Sequence, residues 1–264
     1  MAVLSNTMLQ STAAVSDEES YQIENSVRHK RGHVERDWAT KGNPSKFTIS
    51  FWVKNPEEGT RWFSTGYNTS TADKRKGYIG FNSDRLTYFH HNCPGYSAQM
   101  DLRSDMQFRD PSAWYHVVIT TDLFEASAEN RVKLHVNGVP IGWHSSNNTM
   151  PSQYHTCTFN SDDEKLTIGT WDLNDNFADH HQGQFADWHF IDGLALGPGS
   201  FGSFSSLGIW NPKAFAMPTV NDGTAWASEG TWKDPSNNNI TWGNITLATV
   251  FNGTYDTGSA TGIY

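Results

Sequence analysis

The sequence is poor in basic residues, in cysteine and in long apolar runs. Its 264 residues include 19 Lys and Arg against 28 Asp and Glu, a formal net charge of −9, and only 2 Cys. Because nucleic acid and anionic membranes attract a basic field, this balance argues against non-specific binding to either. No stretch approaches the roughly 18 apolar residues of a membrane-spanning helix. We therefore expect neither nucleic acid nor membrane as a partner.

The first twenty residues, MAVLSNTMLQSTAAVSDEES, lack the features of a secretory signal. They have no basic start and no sustained apolar core. We therefore expect synthesis and folding in a cytosol, with Cys93 and Cys157 as thiols. Whether these two cysteines lie close together is left open by the sequence.

Helical periodicity is scarce, and strand patterns take its place. The best helical candidate is 18–25, with at most one further turn at 125–129. Short runs rich in Val, Ile, Thr and aromatic residues are separated by turn residues, in the order KFTISFWVK, KGYIGFN, DRLTYFHH, AWYHVVITTD, NRVKLHVNGVPIGWH, KLTIGTW and QFADWHFID. Many short strands at near-regular spacing predict an all-β sandwich or barrel.

Three local patterns refine this prediction. Asn137-Gly138 stands between two alternating runs and is the preferred pair of a type I′ hairpin. Both faces of AWYHVVITTD are largely apolar, which is typical of a central strand. Strict alternation in QFADWHFID would place Asp187 on the same face as Phe185, with Trp188 on the opposite face. The Gly/Pro/Ser-rich run that follows is expected to turn a corner and carry Phe201 back to the core.

Four segments resemble successive strands of a laminin-G-like, concanavalin A-like jelly roll: FTISFWVK, FRDPSAWYHVVITTD, NRVKLHVNGVPI and FADWHFIDGLALGPGSFG. The residue sequences of these segments, and of the opening residues, are similar to sequences of bacteriophage virion proteins, chiefly tail-fibre proteins. The resemblance runs from residue 1 to about Pro212. It implies an N-terminal arm (1–20), a two-sheet antiparallel jelly-roll sandwich (21–212) and a C-terminal arm or short β segment (213–264).

The same resemblance implies a non-enzymatic virion surface protein made in the host cytoplasm. A tail-fibre or receptor-binding protein that touches host-surface glycan is expected first. The alternative is a capsid decoration (cement) or head-fibre protein docking on the shell, and a glycan-degrading enzyme is less expected. A homotrimer, held to other virion proteins by its N-terminal arm, follows from the same analogy. IWNPKAFAMPTVNDGTAW departs from the Gly-rich segment that related phage sequences carry, which leaves the role of the C-terminal part open.

The residues offer little catalytic chemistry. The Glu-x-Asp-x-x-Glu pattern of glycosidases with this fold is absent, and so is Gly-x-Ser-x-Gly. No catalytic residues are therefore predicted. The His90, His91, Cys93 and His155, Cys157 spacings match no standard zinc site.

Two kinds of binding site are predicted. Aromatic side chains at strand ends or in loops can stack on sugar rings, and the alternative for each is a place in the core or an interface. The candidates are Trp62, Tyr96, Trp143 and Trp171. Oxygen-bearing side chains at Asp172, Asn174 and Asp175 suggest calcium at a rim of the sandwich, as laminin-G-like domains often have. They lack the Gly and bidentate Glu of an EF-hand, and a solvated turn is the alternative.

Overall fold

The computed structural model describes residues 21–29, 32–37, 42–54, 59–67, 76–91, 100–144, 148–159, 164–172, 177–216, 232–233, 239–240, 245–251 and 254–260. Its strands confirm the all-β prediction. Within these ranges the helical content is one short helix, α1 (Ala128–Arg131), and one 3₁₀ turn, Pro198–Ser200. The helix expected at 18–25 is wrong for residues 21–25, which are not helical. In the described part of the chain, no helix has the length and apolar character needed to cross a membrane.

The described residues form twenty strands. In chain order they are β1 (Val27–Arg28), β2 (Val34–Asp37), β3 (Lys46–Lys54), β4 (Arg61–Tyr67), β5 (Lys76–Asn82), β6 (Arg85–His91), β7 (Met100–Arg103), β8 (Trp114–Asp122), β9 (Val132–Val136), β10 (Val139–Ile141), β11 (Glu164–Ile168), β12 (Trp171–Asp172), β13 (Phe177–Ala178), β14 (Gln184–Asp192), β15 (Gly202–Phe204), β16 (Trp210–Pro212), β17 (Trp232–Lys233), β18 (Asn239–Ile240), β19 (Ile245–Phe251) and β20 (Thr254–Ala260).

Two large sheets contain most of these strands. Sheet A has the order β10-β9-β8-β3-β14-β19-β20, with β1 paired to one end of β14. Sheet B has the order β18-β17-β2-β11-β4-β5-β6-β7. Pairing is antiparallel except between β14 and β19, which run parallel. The described strands of 213–264 thus pair within both sheets, while the expected N-terminal arm, 1–20, lies outside the described residues.

β8 and β3 are interior strands of sheet A, as the two apolar faces of the β8 segment predict. The two strands pair over nine residues each, from Lys46 opposite Asp122 to Lys54 opposite Trp114. The first of these cross-strand pairs is an ion pair, with Lys46 Nζ 2.8 Å from Asp122 Oδ2. This long, regular pairing fixes which β3 and β8 side chains point away from sheet B.

The main core lies between the inner faces of the two sheets. Alternate residues of β3 and β8, including Phe51 and Val117, meet the inner residues of β4 to β6 and β11. Aromatic rings dominate the contact: the Phe51 ring lies edge-on to Trp62, with centroids 5.7 Å apart, and Phe63 packs on Trp188 at 5.2 Å. Aromatic pairs of this kind stabilise a core by more than the burial of their apolar area alone.

The outer face of sheet A is covered by the chain that follows β14. Thr48 ties this segment down, because its hydroxyl donates to the Leu194 carbonyl at 2.7 Å and accepts from the Leu196 amide at 2.8 Å. Phe201 is buried, as expected, but in a second apolar cluster with Val118 and Ile191 on this outer face. The loop therefore turns the corner onto the outside of the sheet instead of returning to the main core.

The hairpin between β9 and β10 has the predicted turn. Asn137 and Gly138 both have positive φ, 48° and 77°, as a type I′ turn requires. The Trp210 ring lies against Gly138, so closely that a Cβ built there would be 2.3 Å from it. Gly138 is thus needed both for the turn and for the seat of Trp210.

Candidate functional site

A bulge in β14 shapes the outer face of sheet A. Ala186 pairs with Trp52 and His189 with Ser50, so three steps along β14 match two steps along β3. One extra residue is therefore inserted, and Asp187 adopts φ +46°, a left-handed conformation that Asp tolerates better than most residues. The strict alternation predicted from the sequence is wrong at this point.

The bulge changes which side chains face outward. Phe185 and Trp188 both point into the main core, although strict alternation puts them on opposite faces. Asp187 instead lies among the residues that cover sheet A, where it is 4% exposed. Its Oδ1 accepts a 2.8 Å hydrogen bond from the Tyr21 hydroxyl and lies 3.2 Å from Nε2 of His189.

Tyr21 belongs to a segment that we call the strap, residues 21–26. The strap leads into β1, whose Val27 and Arg28 pair with Phe185 and Gln184 at the start of β14. Burial, reinforced by the Asp187 carboxylate, raises the pKa of the Tyr21 phenol. The phenol therefore remains a protonated donor and holds the strap against sheet A.

His116 lies at the centre of the outer face, next to the strap. Its Nε2 is 3.0 Å from the Ser50 hydroxyl, and its Nδ1 is 3.0 Å from the Trp210 indole N–H. Because an indole N–H only donates, Nδ1 must accept, so the ring is neutral with its proton on Nε2. Burial, together with the nearby His189, lowers the pKa of His116 to about 3. The Trp52 ring stacks on this imidazole at 4.8 Å.

A pocket of about 550 Å³ opens between the strap and this part of sheet A. This volume is within the range of about 300–1,000 Å³ that is typical of small-molecule sites. Its apolar lining is Tyr21, Ile23, Trp52, Trp114, Ala186 and Pro212, and its polar lining is Gln22, Glu24, Asn25, Ser26 and Asn211.

The two tryptophans form the aromatic part of the pocket. Trp52 and Trp114 stand on the neighbouring strands β3 and β8, on the same face and two residues apart in register, because Trp114 is opposite Lys54 and Trp52 is opposite His116. Trp52 is 9% exposed, and its indole N–H is buried with no hydrogen-bond partner among the described residues. A buried donor without an acceptor costs about 1–3 kcal/mol.

The described ones among the aromatic residues predicted from the sequence lie elsewhere. Trp62 is 1% exposed and enclosed in the main core by rings such as Phe81, which is the alternative place that the sequence left open for it. Trp143 is partly buried, and its N–H donates to the Val132 carbonyl at 2.9 Å. Trp171 lies partly buried beside the Arg61 guanidinium, and Tyr96 lies outside the described residues. None of the three described ones lines the pocket.

The predicted calcium ligands are not brought together by any described contact. Asp172 ends β12, and Asn174 and Asp175 lie outside the described residues. In the part of the chain that the structure describes, no three His, Cys, Asp or Glu side chains form a group suited to a metal ion. Calcium at this loop stays a prediction. Cys157 is buried, and Cys93 also lies outside the described ranges.

Sequence reasoning missed Trp52, Trp114 and Tyr21. A signal for the first two was available, because the alternation of β3 and β8 assigns both indoles to the face away from Phe51 and Tyr115. No signal pointed to Tyr21, whose role depends on a contact 166 positions along the chain.

Several solved structures are similar to this chain at low identity. A carbohydrate binding protein described as putative, from Bacteroides ovatus, is 14% identical with a TM-score of 0.47, over 92% of this chain and 60% of its own. The CBM40 of a Ruminococcus gnavus IT-sialidase, bound to α2,3-sialyllactose, is 12% identical with a TM-score of 0.41, over 64% and 91%. A heptameric SAP-like pentraxin from Limulus polyphemus is 16% identical with a TM-score of 0.43, over 67% and 76%.

These likenesses are remote, and no curated protein matches the chain. A family model, by contrast, matches residues 31–193, a span that includes β2 to β14. The model is of the laminin-G type and is described as the Concanavalin A-like lectin/glucanases superfamily. Because the match covers more than half of the sequence, the chain belongs to the Concanavalin A-like lectin/glucanases superfamily.

Proposed function

We propose that this protein is a non-catalytic glycan-binding module and that its ligand occupies the pocket between the strap and sheet A. The observation that carries the proposal is the pair of indoles, Trp52 and Trp114, that line this pocket together. Aromatic side chains bury large apolar areas, and the apolar faces of sugar rings pack on them. The family, named for lectins and glucanases, agrees with a saccharide ligand.

The polar lining suits the hydroxyl groups of a saccharide. Gln22, Asn25 and Asn211 supply amide groups, which both donate and accept hydrogen bonds. A few polar groups placed around an apolar surface are the usual way in which a pocket orients a small ligand. The strap therefore contributes specificity, while sheet A contributes the stacking surface.

The acidic lining supports binding without hydrolysis. Glycoside hydrolysis in most families uses two carboxyl groups, about 5–9.5 Å apart, on either side of the scissile bond. Among the described residues that line the pocket, Glu24 is the only one with a carboxylate. Asp187 lies close by, but it is buried and bound to the Tyr21 hydroxyl.

A glycan array tests the proposal. The wild-type protein should bind at least one class of saccharide, and Trp114→Ala should abolish that binding without unfolding the protein. Tyr154→Ala is the matched control, because Tyr154 is an aromatic residue, 59% exposed, beyond the opposite end of β8. Absence of binding to every saccharide, or equal loss in both variants, would contradict the proposal. Reducing sugar released by the wild-type protein would contradict the non-catalytic part.

The finer part of the proposal is that the module belongs to the surface of a bacteriophage virion. It would serve as a homotrimeric tail-fibre or receptor-binding protein, held to other virion proteins through residues 1–20. The resemblance of the four strand segments and of the opening residues to phage virion proteins supports this proposal. The alternative, a capsid decoration or head-fibre protein, shares the same support.

Antibody labelling of particles tests this context by electron microscopy. Label on the tail would support the fibre proposal, label on the head would support the alternative, and unlabelled particles would contradict both. Deleting residues 2–16 should then leave the protein folded but absent from particles. Normal incorporation of the shortened protein would place the virion contact elsewhere in the chain.

A further inference from the structure

We infer that the pocket between the strap and sheet A selects neutral saccharides and rejects those that carry a carboxylate or sulfate. This inference rests on the proposed function and names the class of ligand for the same pocket. The charge of the side chains that line and surround the pocket supports this selectivity.

The lining offers no partner for an anion. Among the described lining residues, Glu24 is the only charged one, and its side chain is exposed beside the opening. Proteins usually hold carboxylates and sulfates with Arg, Lys or converging backbone N–H groups. An acidic sugar in this pocket would instead meet a like charge, which costs affinity and is a common device of specificity.

The charges just outside the lining add to this effect. The buried Asp187 carboxylate lies behind Tyr21, at 2.8 Å from its hydroxyl. Lys54 is the nearest cation on the β3–β8 side, with Nζ 6.0 Å from the centroid of the Trp114 ring. Lys54 also interacts electrostatically with Asp110, whose pKa is lowered chiefly by hydrogen bonds from Ser112 and to a smaller extent by Lys54. Glu24 and Asp187 thus bring two carboxylates close to the strap side of the pocket.

The aromatic lining favours the same class of ligand. Trp52 and Trp114 present apolar surface, and burying an unpaired charge against such surface is unfavourable. Neutral hydroxyl groups can instead be satisfied by the amides of Gln22, Asn25 and Asn211. Both the charge and the polarity of the pocket thus point to neutral hexose-type saccharides.

The test uses matched pairs that differ only in an acidic group, such as galactose with galacturonic acid and glucose with glucuronic acid. For the pair that contains the best ligand on the array, titration calorimetry at low salt should give the neutral member about fivefold to tenfold higher affinity. Glu24→Arg should remove or invert that preference. Glu129→Arg, the same charge change on the exposed helix α1 near the far end of β8, should leave the preference unchanged.

The outcomes separate this inference from the proposed function. Binding of acidic members at least as tightly as neutral ones, still lost in Trp114→Ala, would overturn the inference and leave glycan binding intact. A neutral preference that survives Glu24→Arg would overturn the assignment of selectivity to Glu24 and its field. No binding to any member of the panel would overturn the proposed function, and the inference with it.

Discussion

Tyr21 Oη donates a 2.8 Å hydrogen bond to Oδ1 of Asp187, which joins the strap to the bulge of β14. The contact stabilises both the bulge and the strap. The bulge turns the Asp187 carboxylate to the outer face of sheet A, where it is buried, and a buried carboxylate is costly unless it is hydrogen-bonded. The strap, in turn, is tied to β14 by only two paired residues of β1. The contact between Tyr21 and Asp187 therefore helps to position one side of the pocket.

Replacing Tyr21 with Phe removes this hydrogen bond and keeps the ring. Because the lost bond involves a charged, buried acceptor, we expect the free energy of unfolding to fall by about 1–3 kcal/mol. We also expect weaker glycan binding, since the strap lines the pocket. Urea unfolding and titration calorimetry measure the two effects. Tyr154→Phe is the control, and equal stability of the two variants would show that the contact contributes nothing.

Gly138→Ala should disturb the hairpin that supports Trp210. The positive φ of 77° strains any L residue, and the new Cβ would lie 2.3 Å from the Trp210 ring. Gly208→Ala is the matched control, because Gly208 has a similar φ of 74° but open space around it. Strain alone should cost about 1–2 kcal/mol at either site, and Gly138→Ala should cost distinctly more. Equal losses of stability in thermal unfolding would mean that the Trp210 ring moves away from the new Cβ at no cost.

The strands were predictable because the alternation of side chains is a local property of the sequence. KFTISFWVK and QFADWHFID match β3 and β14 residue for residue, and Asn137-Gly138 makes the expected turn. The bulge at Asp187 was not predictable, because it depends on register against β3. A shift of one residue in register exchanges the two faces of a strand.

The candidate site was harder to predict than the fold for the same reason. Trp62 and Trp52 are both tryptophans in alternating strands, yet one is in the core and the other lines the pocket. The difference arises from which face of each strand meets the opposite sheet. The pocket also requires the strap, and the contact between Tyr21 and Asp187 spans 166 positions. Local patterns hold no information about such a contact.

The contrast between Trp62 and Trp114 is itself testable. Trp62→Ala removes a buried indole from the core and should cost about 3–5 kcal/mol of stability. Trp114→Ala removes a partly exposed indole, so it should cost much less while abolishing glycan binding. Chemical unfolding of the two variants, beside array binding, distinguishes the roles. A Trp62→Ala protein of near wild-type stability would contradict its place in the core.

The neutral state of His116 predicts how stability depends on pH. In the folded protein burial lowers the pKa of His116 to about 3, whereas an unfolded histidine has a pKa of about 6.5. Between these values the unfolded chain binds a proton that the folded protein does not. Stability therefore decreases as the pH falls from about 6.5 towards 3. A proton on Nδ1 would also oppose the Trp210 N–H that donates to it.

Each such histidine contributes a slope of about 1.4 kcal/mol per pH unit in this window. His181, whose pKa burial also lowers to about 3, adds a similar slope, and acidic groups add their own. The effect of His116 is therefore measured as a difference, by urea unfolding of wild type and His116→Gln at pH 7, 6, 5 and 4. The variant should be less stable at pH 7, because its amide replaces an imidazole that contacts Ser50 and Trp210. Its stability should fall less steeply with acid, by about 1.4 kcal/mol for each unit below pH 6. Parallel curves for the two proteins would show that His116 takes up its proton equally well in the folded and unfolded states.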